Sequence, residues 1–367
     1  MKILYDQQIF SFQEYGGISR YYYELIRRIN KSNNGVFIDG RFSNNIFLAK
    51  LKKNVIKLLP AINFPHKNII LFYLNCLFDC KNLKKSNFDI FHVTYFHPYF
   101  LNKLNGKPYI ITVYDMVPEL FTNDFKGVSG KTLKYKKETI VKANHIITIS
   151  ENTKKDLVSL YKIPKDKISV IYLGNPLENA IPDKVENLPK RYLLFVGNRQ
   201  GYKNFVFFIK SIAPILNENG TLFLVCTGGG IFSTEEKALF SKLNITNQIK
   251  QINFENDNEL AYIYKNAIIY ILPSLYEGFG MTVLEAFSMG CPVVASNISS
   301  IPEVCEKAAL YIDPKNTNSI RRGIEKIMND KEIRKRLVKS GFEQVKKFSW
   351  CVTVNKTLKT YKNLIGK

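Results

Sequence analysis

Short apolar runs recur along the chain, each followed by a polar or glycine-bearing loop and then by a stretch of helical periodicity. Lys2–Asp6, Val36–Asp39, Phe88–His92, Pro108–Val113, Asn144–Ile149 and Ile168–Tyr172 read as the strands of a first half. Tyr192–Val196, Leu222–Cys226, the short Gln248–Phe254 and Ile268–Leu272 repeat the pattern in a second half. Helices are expected over Tyr21–Ile29, from Lys131 to Ala143, from Ser150, over Asn258–Ala267, over Thr282–Met289 and from Lys315 onward. Apolar runs without alternation suit strands buried on both faces, and strands alternating with helices make parallel sheets. The expected class is therefore α/β. The pattern restarts after Gly174–Pro189, a polar segment with prolines, as an interdomain linker should be. The expected domains are residues 1–173, a linker 174–190, a second domain 191–348 and a last helix 349–367.

One segment departs from this rhythm. Between residues 44 and 87, Phe47, Leu48, Leu51, Val55, Leu58 and Leu59 recur at helical spacing among Lys50, Lys52, Lys53 and Lys57. Ile69–Leu74, Leu77 and Phe78 continue it before Lys81, Lys84 and Lys85. A basic amphipathic segment lies readily on an anionic bilayer. The same pattern fits a helix pair packed on the sheet with a solvated lysine face, and that reading is favoured slightly.

The chemistry concentrates in Pro273–Glu285, which reads as strand end, turn and helix. Gly278 and Gly280 let the backbone turn sharply and approach a ligand. A helix N-terminus there, near Thr282, offers N–H groups and partial positive charge to a phosphate. Glu277 and Glu285 flank that cradle, where a carboxylate suits sugar or ribose hydroxyls better than phosphate. Taken alone, the same turn is also a tight structural connection with a surface glutamate. Gly197–Phe205 is a second glycine loop after a strand, and Arg199 and Lys203 in it can both reach a diphosphate, one as a planar fork and the other as a point charge. The bland alternative is two solvated cations. Asp115 lies just past the end of a strand, where open α/β sheets hold ligands. His92 sits at a strand end, a place more typical of a hydrogen-bonded structural histidine than of a ligand contact.

Composition narrows the classes. Of the 367 residues, 46% are hydrophobic, enough for two cores. The apolar runs are too short and too interrupted for a transmembrane helix, and Met1–Tyr5 reads as a strand start rather than a signal peptide. Six scattered cysteines fit reduced thiols in a cytosolic protein, and the four histidines lack metal-ligand spacing. A net charge of +22 points to an anionic partner, whether nucleic acid, anionic membrane or polyprenyl diphosphate lipid. A lysine-rich proteome gives the same surface with no special partner. No compact aromatic–basic RNA-binding motif accompanies the charge, which argues against a nucleic-acid-binding module.

The string Glu277-Gly-Phe-Gly-Met-Thr-Val-Leu-Glu285 resembles the paired-glutamate signature of the family 4 retaining glycosyltransferases. The likeness continues through Ala286–Ser296, Ser299–Glu303 and Ala308–Pro314. It includes the first glycine loop, Tyr15-Gly-Gly-Ile-Ser-Arg-Tyr21, and covers essentially the whole chain. The resemblance implies a GT-B fold, two Rossmann-like domains facing across a cleft, with the last helix crossing back to the first domain. It implies that Glu285 holds ribose hydroxyls, and that Glu277 and the Phe279–Met281 backbone hold the donor sugar. Lys203, Arg199 and the helix N-terminus at Thr282 would neutralise the departing diphosphate. Gly16 and Gly17 would touch the donor diphosphate or the acceptor. Many relatives carry histidine then aspartate where this chain has Tyr114 and Asp115, so only the aspartate is kept.

The implied activity is retaining hexosyl transfer from a nucleotide-diphosphate sugar without a metal or other cofactor. GDP-mannose is the favoured donor and a lipid-linked oligosaccharide of surface polysaccharide synthesis the favoured acceptor. The implied location is the cytoplasm, with peripheral contact at the inner membrane face. A nucleotide-sugar 2-epimerase on the same fold is the alternative.

Overall fold

The computed structural model describes residues 1–32, 34–58, 66–85, 87–121 and 130–366. Leu59, part of the apolar pattern above, lies outside the described residues. The chain divides into two compact units: Met1–Leu120, Lys126–Gly174 and Trp350–Lys367 in one, Phe121–Phe125 and Asn175–Ser349 in the other.

The first unit is built on six parallel strands: β1 (Lys2–Tyr5), β2 (Gly35–Ile38), β3 (Ile90–Val93), β4 (Tyr109–Val113), β5 (His145–Thr148) and β6 (Ile168–Val170). Their order is β2-β1-β3-β4-β5-β6, with Ile3 opposite Ile90 and Ile111 opposite Ile146. Every residue of β3 and β4 is buried, which explains the unbroken apolar runs. Phe91, Phe100 and Tyr109 pack edge to face, at 5.1 and 5.0 Å between ring centres.

The helix Trp350–Leu364 belongs to this first unit. Trp350 is 1% exposed and lies against the chain at Gly174, where a Cβ would come within 2.5 Å of the Trp350 backbone nitrogen and ring. Only glycine lets the chain pass there. Further along, Thr353 Oγ1 donates to the Tyr172 carbonyl at 2.8 Å, and Tyr361 meets the Tyr5 hydroxyl at 3.0 Å.

The second unit repeats the plan with β7 (Tyr192–Val196), β8 (Phe223–Thr227), β9 (Ile249–Gln251), β10 (Ile269–Leu272), β11 (Val293–Ser296) and β12 (Ala309–Ile312). All pairings are parallel, in the order β12-β11-β10-β7-β8-β9. Helix Phe205–Glu218 lays Phe205, Phe208 and Ile212 over Leu193 and Phe195. Residues from Asn175 onward already belong to this unit: Leu177 is buried, and Ile181 N–H donates to Asn258 Oδ1 at 3.1 Å.

The strand order places a crevice in each unit. In the first the chain runs outward from β1 to β2 and then returns to the other side of β1 with β3. In the second it runs from β7 through β8 and β9 and returns beside β7 with β10. At such switch points the loops beyond the strand C-termini part in opposite directions, which is where open α/β sheets bind ligands.

Two local expectations change. The helix read as starting at Tyr21 begins at Gly17, because the Gln13 side chain supplies a cap by accepting from Ser19 N–H at 3.3 Å. The segment read as a helix pair with a solvated lysine face forms helices Ile46–Leu51 and Lys67–Lys85, and Lys81, Lys84 and Lys85 are exposed as expected. The second helix buries Leu71, Phe72 and Leu83 but also, unexpectedly, Asn75 and Asp79, while Ile69, Ile70, Tyr73, Leu77 and Phe78 face outward. The polar residues turn inward because the 40–42 backbone needs them. Asn75 Oδ1 accepts from Arg41 and Phe42 N–H, both at 2.9 Å, and Asp79 Oδ1 accepts from Gly40 N–H at 3.2 Å.

Candidate functional site

The loops after β7 and β10, at the second unit's switch point, carry the candidate chemistry. After β7 the chain passes through Arg199 into a short turn, Gly201–Lys203, and then into helix Phe205–Glu218. After β10 it runs from Pro273 through Gly280 into helix Met281–Ser288, which starts one residue earlier than Thr282. Bonds tie these loops to each other and to the segment after β12. Leu275 N–H donates to the Tyr202 carbonyl at 2.7 Å, and Asn204 Nδ2 donates to the carbonyls of Pro273 and Pro314 at 3.1 and 2.8 Å.

This brings Lys203 and Glu277 into contact across 74 residues of sequence, Nζ to Oε1 at 2.8 Å. The pair is partly accessible, the Lys203 side chain 18% exposed and that of Glu277 10%. Glu277 is held through both its side chain and its backbone. Ser274 Oγ donates to the same Oε1 at 2.6 Å, Glu277 N–H donates to Ser299 Oγ at 2.9 Å, and Ser300 Oγ donates to the Glu277 carbonyl at 2.8 Å. Ser274 and Lys203 fix the carboxylate, and Ser299 and Ser300 fix the Glu277 backbone.

The helix that follows is set by Gly280, whose φ of 94° lies in the left-handed region; a Cβ there would sit 2.8 Å from Ile301 Cδ1. Phe279 points its side chain into the core against Phe348, 5.7 Å between ring centres, so it offers a ligand only its backbone. Gly278 and Met281 are half-buried beside it. Thr282 Oγ1 accepts from the Tyr270 hydroxyl at 2.7 Å, and Glu285 Oε2 from the Tyr264 hydroxyl at 2.8 Å. Glu285, expected on a helix, is indeed one turn in and buried, but it points at a tyrosine that the sequence did not announce. Burial pushes both tyrosine hydroxyls well above their ordinary pKa, with the Glu285 charge adding to the effect at Tyr264. Both therefore remain protonated donors, and each fixes its partner's orientation.

Arg199 is placed differently from Lys203. Nε donates to Glu236 Oε1 at 2.7 Å and Nη2 to Glu236 Oε2 at 3.3 Å. Nη1 reaches the Gly228 carbonyl at 3.2 Å, and Nη2 the Gly230 and Ile231 carbonyls at 3.0 Å each. The guanidinium is only 3% exposed. Of the two cations expected at a diphosphate, Lys203 stays partly accessible beside Glu277, whereas Arg199 is a strut whose fork holds the loop after β8. A fork committed to five bonds has little left for a diphosphate.

In the first unit, a short helix, Gln8–Phe12, follows β1; Gly16 lies in the turn beyond it and Gly17 opens helix Gly17–Ile29, with Ser19 Oγ donating to the Gly16 carbonyl at 3.0 Å. Asp115 follows β4. Its Oδ1 accepts from Val117 N–H at 3.0 Å and caps helix Val117–Leu120, while Lys136 Nζ donates to its carbonyl at 3.0 Å. Tyr114 takes no histidine's role: its ring is buried edge-on to Tyr21 and Tyr22, at 5.7 and 6.4 Å. His92 is fully buried. Its Nε2 meets Thr112 Oγ1 at 2.9 Å and its Nδ1 the Tyr361 hydroxyl, and burial lowers its pKa to about 3. It is a neutral structural histidine.

Comparison with known proteins agrees with this geometry. The profile of the family described as Glycosyl transferases group 1 matches residues 178–344, and that of Glycosyltransferase Family 4 matches residues 15–179. The chain is 26% identical over 339 residues to an uncharacterized glycosyltransferase of Methanocaldococcus jannaschii, covering 84% of each chain. It is 28% identical over 259 residues to the O-antigen chain mannosyltransferase B of Escherichia coli, covering 67% of each. It is 27% identical over 199 residues, 53% of each chain, to the N-acetylgalactosamine-N,N'-diacetylbacillosaminyl-diphospho-undecaprenol 4-alpha-N-acetylgalactosaminyltransferase of Campylobacter jejuni. Among solved structures, the sucrose-phosphate synthase of Thermosynechococcus elongatus superposes with a TM-score of 0.80 at 19% identity, over 100% of this chain and 99% of that one.

Proposed function

The chain belongs to the group 1 glycosyltransferases of family 4, with the GT-B fold, and from that premise we propose that it transfers mannose from GDP-mannose to a saccharide carried on polyprenyl diphosphate. The observation that carries the reading is the clamped Lys203–Glu277 pair at the second unit's switch point. The mannose and O-antigen assignment draws support from the mannosyltransferase relative, and the lipid carrier from the relative named for an undecaprenol-linked substrate.

Each residue then has a part. Glu285, oriented through Tyr264, receives the ribose hydroxyls. Glu277 and the backbone from Gly278 to Met281 receive the hydroxyls of the sugar. When the bond between the anomeric carbon and the phosphate oxygen breaks, charge grows on the diphosphate. Lys203 and the N-terminus of helix Met281–Ser288 stabilise it there. These two positive groups supply the charge compensation, so our reading requires no metal. The acceptor hydroxyl bonds to the anomeric carbon from the face the diphosphate leaves, and its proton departs with the diphosphate. Configuration is retained. Arg199 supports the loop after β8 as a positioning residue, and Asp115, Gly16 and Gly17 serve the acceptor side in the first unit.

We place the protein at the inner face of the cytoplasmic membrane. Its net charge of +22 and the apolar outer face of helix Lys67–Lys85 support contact with an anionic bilayer. Among the described residues no helix is long and apolar enough to cross one.

The test is transfer itself. GDP-mannose with a polyprenyl-diphosphate-linked saccharide should give one added α-linked mannose, with or without a metal chelator. Free nucleotide and an altered sugar, formed with no acceptor present, would instead identify a 2-epimerase.

A further inference from the structure

The first unit's switch point holds a cavity of its own. Phe12, at the end of the short helix Gln8–Phe12 that follows β1, and Tyr95 and His97, from the loop after β3, line a space of about 330 Å³ with Phe72, Tyr135 and Lys131. The rings form a continuous frame. Phe12 stacks on Phe72 at 5.0 Å and lies 5.5 Å from Tyr95, and His97 stands 4.7 Å from Phe72 and 4.8 Å from Tyr135. Gln8 latches the frame by accepting from His97 N–H at 2.8 Å and donating to the His97 carbonyl at 3.1 Å. The space is therefore preformed, which suits a binding site.

Three features describe its ligand. First, the lining is predominantly apolar and aromatic, so it favours hydrocarbon; a hexose enclosed there would leave many hydroxyls without partners. Second, Lys131 stands at the cavity, its Nζ 5.6 Å from the Tyr135 ring centre, and His97 keeps a buried Nδ1 with no hydrogen-bond partner among the described residues. Burial and the Lys131 charge lower the His97 pKa, so a neutral imidazole faces the ligand beside a cation. Third, Ile69 and Tyr73 belong both to the cavity wall and to the outer face of helix Lys67–Lys85, where they are 44% and 55% exposed. The apolar lining thus runs out onto an apolar surface that continues through Leu77, 68% exposed.

We propose that this cavity binds the isoprenoid segment next to the diphosphate of a polyprenyl-diphosphate-linked acceptor, with Lys131 on the diphosphate and the outer face of helix Lys67–Lys85 as the side from which the chain arrives. A branched, unsaturated hydrocarbon packs against ring faces without leaving polar groups unsatisfied, and an ammonium suits the diphosphate at its head. The proposal rests on the acceptor being lipid-linked, as read above.

The test titrates farnesyl diphosphate into the full chain by calorimetry, with inorganic diphosphate as the headgroup control. Farnesyl diphosphate should bind at least about tenfold tighter than inorganic diphosphate, a gap of about 1.4 kcal/mol. Tyr135→Ala, which removes a wall, should abolish that gap. So should Thr132→Phe, which fills the cavity from an exposed position and guards against a folding defect in the first variant. GDP affinity, a property of the second unit, should be unchanged in both. Equal affinity for the two diphosphates, wild-type affinity in both variants, or displacement of farnesyl diphosphate by a free saccharide would overturn the proposal. Transfer to a lipid-linked acceptor with an unaltered KM in Thr132→Phe sinks the cavity and leaves the function standing. Transfer only to lipid-free saccharide removes the lipid-linked reading and the cavity's role together.

Discussion

Replacing Lys203 with methionine keeps the length of the side chain and removes its charge, leaving the Glu277 carboxylate with Ser274 as its remaining side-chain donor among the described residues. Removing one partner of a buried ion pair costs about 3–5 kcal/mol, whereas exposed pairs contribute about 0–1 kcal/mol. With side chains 18% and 10% exposed, this pair lies between those limits, so a loss of about 1–3 kcal/mol is expected. Urea unfolding followed by circular dichroism reads it as a lower midpoint. The catalytic effect should be larger, because in the proposed reaction Lys203 faces the charge that develops on the diphosphate. Losing one such group lowers kcat by about 10²–10³-fold. Adding Glu277→Gln to Lys203→Met separates the two roles. The double variant leaves no unpaired charge and should recover much of the stability, yet remain as inactive as the single variant. If Lys203→Met turns over within about threefold of wild type, or if the double variant regains activity, Lys203 does not stabilise the leaving group.

Three further outcomes follow from the same contacts. Tyr264→Phe removes the donor to buried Glu285 and should weaken GDP binding about tenfold, read by calorimetry, with kcat changed less than KM. Gly280→Ala forces a side chain into the left-handed region and against Ile301, and should lower stability by about 1–3 kcal/mol in urea unfolding. The third concerns pH. Asp39 and Asp79 are buried, each with an Oδ2 that has no hydrogen-bond partner among the described residues; burial holds both carboxyls well above the ordinary 3.8, and the Asp39 charge adds to the effect at Asp79. A raised carboxyl keeps its proton in the folded chain after the unfolded chain has lost it. Stability is therefore fully present below about pH 3.8 and falls as pH rises through neutrality, by up to about 1.4 kcal/mol per pH unit for each such group. Asp79→Asn should flatten that slope between pH 6 and 8, and an unchanged slope would show that the pair does not titrate this way.

The strands and the glycine turn were legible because their signals are local. Ile269–Leu272 is apolar without a break, and Gly280 stands where the backbone must turn back. Lys203 and Glu277 were each legible as candidates, but not as partners, because the pairing of β7 with β10 that joins their loops is a matter of sheet order. The residues that hold the site were silent for the same reason. Ser274, Ser299, Ser300, Asn204 and Tyr264 are ordinary until tertiary structure gives each a bond to make. Arg199 shows the converse: its sequence position suggested a ligand, but Glu236 and three carbonyls claim its fork. In helix Lys67–Lys85 the lysines Lys81, Lys84 and Lys85 are exposed as expected, and Leu71, Phe72 and Leu83 are buried. The pattern did not show that the 40–42 loop draws Asn75 and Asp79 inward beside them, while Ile69, Ile70, Tyr73, Leu77 and Phe78 stay outside.

The central claim is that the second unit binds a nucleoside diphosphate through Glu285 and the Lys203–Glu277 pair. The most direct measurement is thermal unfolding with GDP, UDP, dTDP and ADP on wild type and Glu285→Ala. A nucleotide at about 100 times its Kd adds about 2.7 kcal/mol to the folded state. The account predicts a marked rise in Tm with GDP that shrinks in Glu285→Ala. No rise with any of the four nucleotides, or a rise that the variant keeps in full, would contradict it.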